Sequence, residues 1–238
     1  MTGSRAIAVV GMGRSGTSYV TEFLGACGVF LDEVNWAQEH ELGRLVNDTF
    51  LEREYGARRG RPYGTLPPDP IEPDESWSRL AGQFVAYMSL RAAEEGASAW
   101  AFKDPRTTVL HRMWLGRFDA VVAIYRRPQD VVASYMGQGW VRGLRRRRIA
   151  LAYWKRFNRS LLAIRDACSG VRPFLLVDYD GDLDEQGRLL CAALGLELTD
   201  AARDLYDPDL KHYADRPATS DAEARALYEQ LCAARIAA

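Results

Sequence analysis

The feature that most constrains the fold is a short apolar run followed at once by a glycine-rich turn and a helical pattern. Residues 6–10 read AIAVV, residues 11–18 read GMGRSGTS, and a helix-period pattern covers 16–27. A continuous apolar run of this length is typical of a strand buried on both faces. A turn between such a strand and a helix presents backbone N–H groups to an anion. The segment therefore predicts an α/β domain with a phosphate-binding loop after its first strand.

Strand-like and helix-like segments alternate along the rest of the chain. Further strands are predicted at 98–102, 120–125 and 174–179, and further helices at 38–54, 75–95, 128–136, 146–168, 183–194 and beyond residue 215. Such alternation favours an α/β fold with a central parallel β-sheet flanked by helices. The length suits one domain over 1–238. The Pro- and Gly-rich stretch 57–76 and the segment 137–148 are interpreted as substrate-side loops.

Composition and charge exclude several classes of partner. The net charge is −1, so no overall field attracts nucleic acid or an anionic membrane, and an anion site has to be local. The apolar runs are far shorter than the roughly 20 residues of a membrane span. The four cysteines lack metal-ligand spacing and the three histidines are scattered, so reduced thiols and no metal are expected. These observations indicate a cytoplasmic protein that binds neither nucleic acid nor membrane.

The glycine-rich loop lacks the lysine of ATP-binding loops. The pattern G-x-x-x-x-G-K-[ST] requires lysine after its second glycine, but Thr17 stands there, and the positive charge is supplied by Arg14. Ser15, Thr17 and Ser18 add hydroxyl groups that can bind phosphate oxygens. Because that lysine reaches the β- and γ-phosphates, its absence disfavours ATP chemistry.

Two segments resemble the nucleotide-binding motifs of PAPS-dependent sulfotransferases. RSGTS at 14–18 resembles the R/K-S-G-T-T loop that holds the 5′-phosphosulfate of 3′-phosphoadenosine 5′-phosphosulfate (PAPS). RRPQDVVASY at 126–135 resembles the 3′-phosphate segment R-x-P-x-D-V-x-x-S-Y, which implies that Arg126 and Ser134 hold the 3′-phosphate. The fold implied is that of the P-loop-containing nucleotide hydrolases. The implied nucleotide-binding residues are Gly13, Arg14, Ser15, Gly16, Thr17, Ser18, Arg126, Ser134 and Tyr179.

Three shorter segments extend the resemblance to about residue 213. VDYDGDLDEQGRLLCAALGL at 177–196 is similar to a V-x-Y-E-D-L segment that places Tyr179 near the nucleotide, with Asp180 in place of glutamate and Gly181 inserted. AFKDPRTTVL at 101–110 resembles the K-D-P-R segment of bacterial and Golgi-type members. DPDLKHY at 207–213 resembles a basic segment of bacterial members.

The resemblance implies transfer of a sulfuryl group from PAPS to a hydroxyl, less readily an amine, with release of 3′,5′-ADP and without a metal. Arg14 is expected to stabilise the bridging oxygen, and Lys103 to contact the sulfuryl or leaving group. Glu39 is the preferred general base, since it precedes Asn47 with the spacing of a G-x-x-E…L-N-D pattern. His40 and Asp104 stay open as alternatives, although Asp104 also suits a helix cap.

The sequence leaves the acceptor open. A small molecule, either a secondary metabolite or a sugar, is the expected partner, and the arginine- and alanine-rich composition indicates a bacterial source. Two other functions stay open: a P-loop kinase of a small metabolite, and a protein that binds PAPS or 3′,5′-ADP without turnover. Homo-oligomerisation and the role of the arginine run at 142–148 are also left open.

Overall fold

A parallel four-stranded sheet forms the centre of the part of the chain that the structure describes. The computed structural model describes residues 3–32, 41–55, 71–137, 144–205 and 217–236. The strands are β1 (Arg5–Gly11), β2 (Ala99–Lys103), β3 (Ala120–Tyr125) and β4 (Phe174–Asp178). They lie in the order β2-β1-β3-β4, and every neighbouring pair is parallel. This confirms the predicted α/β fold with a central parallel sheet.

Both faces of the sheet are buried, which explains the continuous apolar runs. Along β1, Ala6, Ala8 and Val10 enter one hydrophobic cluster, whereas Ile7 and Val9 enter the cluster on the opposite face. Side chains alternate between the two faces of a strand, so a strand covered on both sides needs apolar residues at every position.

Helices cover the two faces unequally. In chain order they are α1 (Thr17–Ala26), α2 (Glu41–Tyr55), α3 (Glu75–Glu94), α4 (His111–Trp114), α5 (Pro128–Gly137), α6 (Leu144–Cys168), α7 (Leu183–Leu194), α8 (Asp200–Arg203) and α9 (Ala222–Ala234). Short 3₁₀ helices span Pro105–Thr108 and Leu115–Arg117. Buried residues of α1, α7 and α8 pack on one face, and those of the other α-helices pack on the opposite face.

Capping residues define where several helices begin and end. Asp74 precedes α3 and accepts hydrogen bonds from the N–H groups of Ser76 and Trp77, and Asp182 caps α7 in the same way. Gly195 ends α7 with φ 61°, a left-handed conformation that glycine adopts without a steric cost, as its position after LLCAAL predicts.

The C-terminal helix α9 closes the face that carries α6. Leu227 and Leu231 are buried in the core, and the ring of Tyr228 contacts that of Tyr125 edge-on at 5.7 Å. After α9, the N–H of Ile236 donates to the carbonyl of Leu176 at 2.8 Å. This bond partly covers the free edge of β4, which would otherwise expose backbone groups.

All four cysteines are free thiols. Cys27, Cys168 and Cys191 are buried and Cys232 is half-buried. The sulfur atoms of Cys27 and Cys191 are 3.6 Å apart, between the end of α1 and α7. Burial raises the pKa of Cys191 to about 12, so its thiol stays protonated at neutral pH.

Within the described ranges, no helix has both the length and the hydrophobicity that a membrane crossing requires.

Candidate active site

The predicted phosphate-binding segments meet at the carboxyl ends of β1 and β3. The chain leaves β1 toward β2 on one side and leaves β3 toward β4 on the other, although β1 and β3 are neighbours. Open α/β sheets bind ligands in the crevice that such a reversal creates. Gly11 ends β1 and Arg126 directly follows β3, so both predicted phosphate segments start at this crevice.

The loop after β1 is shaped for close contact with an anion. Helix α1 begins at Thr17, after an N-cap glycine, Gly16, that has no side chain to cap the first turn, and helix N-termini of this kind favour anions. Gly16 has φ 96°, and a β-carbon there would lie 2.2 Å from Cδ2 of Tyr179. The ring of Tyr179 therefore packs directly on the loop, where only glycine fits.

Arg14 links the two predicted phosphate segments. Its backbone is left-handed, with φ 72°, and its side chain reaches across the crevice to α5. Arg14 Nε donates a hydrogen bond of 2.9 Å to Oγ of Ser134, a buried residue of α5. The structure thus brings together one residue from each sequence segment on which the nucleotide site was predicted.

Several buried polar atoms at the crevice have no hydrogen-bond partner in the described part of the chain. They include Oγ of Ser15, Nε of Arg126 and Oδ1 of Asp180, and the last two face each other at 3.6 Å, beyond hydrogen-bond distance. Burying such a group without a partner costs roughly 1–3 kcal/mol. Oγ of Ser15 can donate to an anion, as can the terminal nitrogens of Arg126, so the residues present suit a phosphate-bearing ligand.

Arg126 is held by its surroundings on several sides. Its guanidinium carbon lies 4.7 Å from the centre of the Tyr179 ring, a cation–π contact, and its Nε lies 3.6 Å from Oδ1 of Asp180. Its backbone carbonyl accepts a 2.9 Å hydrogen bond from Nε1 of the fully buried Trp154. Trp154 of α6 belongs to the hydrophobic core.

The next residue, Arg127, ties the start of α5 to two carboxylates. Its N–H donates to Oδ2 of Asp180 at 2.8 Å, and its Nε donates to Oδ2 of Asp130 at 2.7 Å. Burial raises the pKa of Asp130 despite the opposing charge of Arg127. Asp130 thus forms an ion pair with Arg127 within the first turn of α5.

Lys103 is the last residue of β2, one residue beyond the predicted strand end. It pairs in register with Val9 of β1, and its side chain is buried. Parallel strands end at one edge of the sheet, so Lys103 lies on the same edge as the phosphate loop.

Asp104, the third candidate base, is engaged in a structural ion pair. Its carboxylate accepts hydrogen bonds from the backbone N–H, Nε and Nη2 of Arg106 and from Nδ2 of Asn47. Burial alone would raise its pKa, but the charge and hydrogen bonds of Arg106, with that of Asn47, hold the pKa below its usual value. A fully engaged, weakly basic carboxylate is poorly suited to take a proton, and Asp104 caps the Pro105–Thr108 turn as the sequence suggests.

Asn47 anchors α2 to this turn. It is completely buried, accepts a 2.8 Å hydrogen bond from Nε1 of Trp114 and donates to Asp104 and to Oγ1 of Thr107. Its neighbour Asp48 forms an ion pair with Arg106. In the sequence, Asn47 served only to define the spacing from Glu39. Its hydrogen-bond partners are distant along the chain, so no local pattern predicts them.

Thr108 joins the same turn to the phosphate loop, a role that sequence reasoning missed. Its Oγ1 accepts a 2.8 Å hydrogen bond from the N–H of Gly11 and donates to the carbonyl of Gly11 at 3.2 Å. The sequence signal for this contact was the pair of hydroxyl residues that follows K-D-P-R, Thr107 and Thr108. The segment 103–108 therefore contacts both the loop after β1 and helix α2.

Other predicted features lie elsewhere. Glu39 and His40 fall outside the described residues, as do residues 57–70 and 138–143 of the two predicted substrate-side loops. In the arginine run, Arg147 and Arg148 are exposed on the first turns of α6. Among the side chains that the structure describes, no group of three or more His, Cys, Asp or Glu residues could hold a metal ion.

Comparison with known proteins supports the family and the fold. A model described as "Sulfotransferase family" matches residues 6–200. A sulfotransferase domain from the Synechococcus PCC 7002 olefin synthase is 17% identical with a TM-score of 0.61, covering 98% of this chain and 96% of that chain. A sulfotransferase domain from the curacin biosynthetic pathway is 15% identical with a TM-score of 0.56, covering 96% of this chain and 98% of that chain. None of the curated proteins matches the sequence significantly.

Proposed function

Because the chain belongs to the sulfotransferase family, we propose that it transfers a sulfuryl group from PAPS to an acceptor hydroxyl, less readily to an amine. The acceptor is a small molecule or a carbohydrate, and the other product is 3′,5′-ADP. The site provides no lysine at position 17 for ATP chemistry, which disfavours a kinase.

The observation that carries this proposal is the hydrogen bond between Arg14 and Ser134. A ligand that bears a 5′-phosphosulfate and a 3′-phosphate needs two anion sites at a fixed separation. The 2.9 Å bond joins the loop proposed to hold the 5′-phosphate to the helix proposed to hold the 3′-phosphate, and so fixes the position of one relative to the other. Oγ of Ser15 and the terminal nitrogens of Arg126, one group on each segment, are donors that a doubly anionic nucleotide would satisfy.

In the proposed reaction the acceptor oxygen attacks the sulfur of PAPS. A new O–S bond forms while the bond from sulfur to the bridging oxygen breaks, and that oxygen keeps the electron pair as part of 3′,5′-ADP. Arg14 and the N–H groups at the start of α1 stabilise the negative charge that develops on the leaving phosphate. Lys103, at the same edge of the sheet, stabilises the transferring group.

Glu39 takes the proton of the acceptor hydroxyl in this proposal, with His40 as the neighbouring alternative. Glu39→Gln is expected to lower turnover at saturating PAPS by roughly 100-fold or more while the affinity for 3′,5′-ADP stays unchanged. Steady-state turnover and calorimetric titration with 3′,5′-ADP measure the two quantities. His40→Gln is the matched control, and a loss of turnover confined to that variant would transfer the role of base to His40.

The nucleotide preference can be tested by comparing thermal unfolding with 3′,5′-ADP, 5′-ADP and Mg-ATP. A ligand at 100 times its dissociation constant adds about 2.7 kcal/mol of stability, which raises Tm by roughly 5–10 °C for a domain of this size. The proposal expects the largest rise with 3′,5′-ADP. A rise with Mg-ATP and none with 3′,5′-ADP would reject it in favour of a kinase. Turnover of PAPS with an acceptor distinguishes an enzyme from a protein that only binds the nucleotide.

A further inference from the structure

Asp180 lies directly behind the arginine that the proposed function assigns to the 3′-phosphate. Oδ1 of Asp180 is 3.6 Å from Nε of Arg126, while Oδ2 accepts the 2.8 Å hydrogen bond from the N–H of Arg127. The side chains of Asp180 and Arg126 are 10% and 7% exposed. The carboxylate thus connects the tip of β4 to the residues that join β3 to α5.

The surroundings of Arg126 leave its side chain little freedom. The Tyr179 ring lies against one face of the guanidinium, and the carboxylate of Asp180, the next residue, lies on its Nε side. A guanidinium has five N–H donors in a rigid plane, so an acid on the Nε side leaves the terminal nitrogens to bind another anion. Tyr179 and Asp180 together therefore fix both the plane of Arg126 and the direction of its donors.

The net charge of Arg126, Arg127 and their acidic partners does not explain attraction of a phosphate to this corner, where Arg14, bonded to Ser134, supplies the remaining positive charge. Arg126 and Arg127 are balanced by Asp130 and Asp180, which face them from α5 and from the end of β4. A dianion that approaches a neutral cluster is bound through aligned donors more than through excess positive charge. The orientation of Arg126 therefore decides how well a 3′-phosphate is held.

We propose that Asp180 is a positioning residue that orients Arg126 and thereby determines the preference for nucleotides that carry a 3′-phosphate. The inference rests on the proposed function, since it concerns the same nucleotide site. The sequence identified Asp180 only as a replacement for glutamate in a family motif. The positioning role is inferred from the structure.

Asp180→Asn tests this role with little change of shape. The amide oxygen of the asparagine can still accept a hydrogen bond from the N–H of Arg127. Its NH₂ group then faces Nε of Arg126, and because both groups are hydrogen-bond donors, they repel each other. The affinity for 3′,5′-ADP should fall roughly tenfold, and the affinity for 5′-ADP should not change. Calorimetric titration with both ligands at one ionic strength gives the ratio of the two affinities.

Matched variants separate positioning from a general loss of structure. Asp180→Glu keeps the charge and should restore most of the ratio, whereas Asp182→Asn, at the exposed cap of α7 in the same loop, should leave it unchanged. If Asp180→Asn does not fold, Asp180→Ser keeps an acceptor without an amide and is measured in the same way. Thermal unfolding without ligand confirms that each variant is folded.

The outcomes are distinct. An equal loss of affinity for both ligands would mean that Asp180 is merely structural and would overturn the inference. A gain in affinity for 3′,5′-ADP would overturn it too, because repulsion between the carboxylate and the phosphate would then dominate. If Arg126→Ala left the ratio unchanged, the proposed reading of the 3′-phosphate would itself be wrong, which is a separate failure.

Discussion

At the scale of single residues, the phosphate loop depends on what packs against it. Tyr179 contacts Gly16 on the loop side and the guanidinium of Arg126 on the other side. One ring therefore supports both predicted phosphate segments. A change that displaces this ring should disturb the 5′- and the 3′-phosphate positions together.

Substitution of Gly16 tests this support. Gly16→Ala combines a left-handed backbone with a β-carbon 2.2 Å from Cδ2 of Tyr179, and should lower the free energy of unfolding by about 2–4 kcal/mol and weaken 3′,5′-ADP binding. The control is Gly28→Ala, since Gly28 has φ 85° but no atom within 4 Å of an added β-carbon. This control substitution should lower the free energy of unfolding by only about 1 kcal/mol and leave the affinity for 3′,5′-ADP unchanged. Urea unfolding and calorimetry measure both effects, and equal losses in the two variants would mean that contact with Tyr179 is unimportant.

At the scale of elements, the turn at 103–108 holds three parts of the site together. It follows β2, its Thr108 bonds Gly11 of the phosphate loop, and its Asp104 and Arg106 bind Asn47 and Asp48 of α2. Helix α2 directly follows the segment that contains Glu39. The turn therefore fixes helix α2 relative to the loop after β1.

The ion pair in this turn predicts a dependence of stability on pH. The pKa of Asp104 lies below its ordinary value of 3.8 in the folded protein, so the pair stabilises fully above that value and is lost as the pH falls through the folded pKa. Asp104→Asn should lower the free energy of unfolding by about 3–5 kcal/mol at pH 7, because the buried Arg106 loses its main ion-pair partner. The difference from wild type should shrink below about pH 4, as urea unfolding from pH 7 to 3.5 would show.

A control and a contradicting result define this test. Asp184→Asn removes an exposed carboxylate from α7 and should change the free energy of unfolding by less than about 0.5 kcal/mol at any of these pH values. A cost of Asp104→Asn that stayed constant or grew on acidification would contradict the assignment of the lowered pKa to this pair.

At the scale of the whole molecule, the parallel sheet could be predicted because the local hydrophobic pattern of its strands indicates it. Strands buried on both faces are apolar throughout, and the runs at 6–10 and 120–125 coincide with β1 and β3 apart from the ends of β1. The end of β2 was missed because it is a buried lysine, Lys103. Its burial depends on neighbours that are distant in sequence.

The candidate site could be predicted only as far as its motifs extend. The loop at 11–18 and the segment at 126–135 meet as expected, because both follow parallel strands that end at one edge. The supporting contacts of Thr108 and Asp180 were not predicted. Each joins segments about 50 residues or more apart, and no local periodicity reports such a pairing.

The order of the strands has a consequence for how the protein emerges from the ribosome. The central strand β1 and the loop after it are synthesised well before β2 and β3, which flank β1, and Tyr179 comes later still. A nascent chain that ends before β4 has the loop without the ring that supports it. Parallel pairing of distant segments forms slowly, so a ligand of this loop can assist folding only after β4 and Tyr179 have been translated.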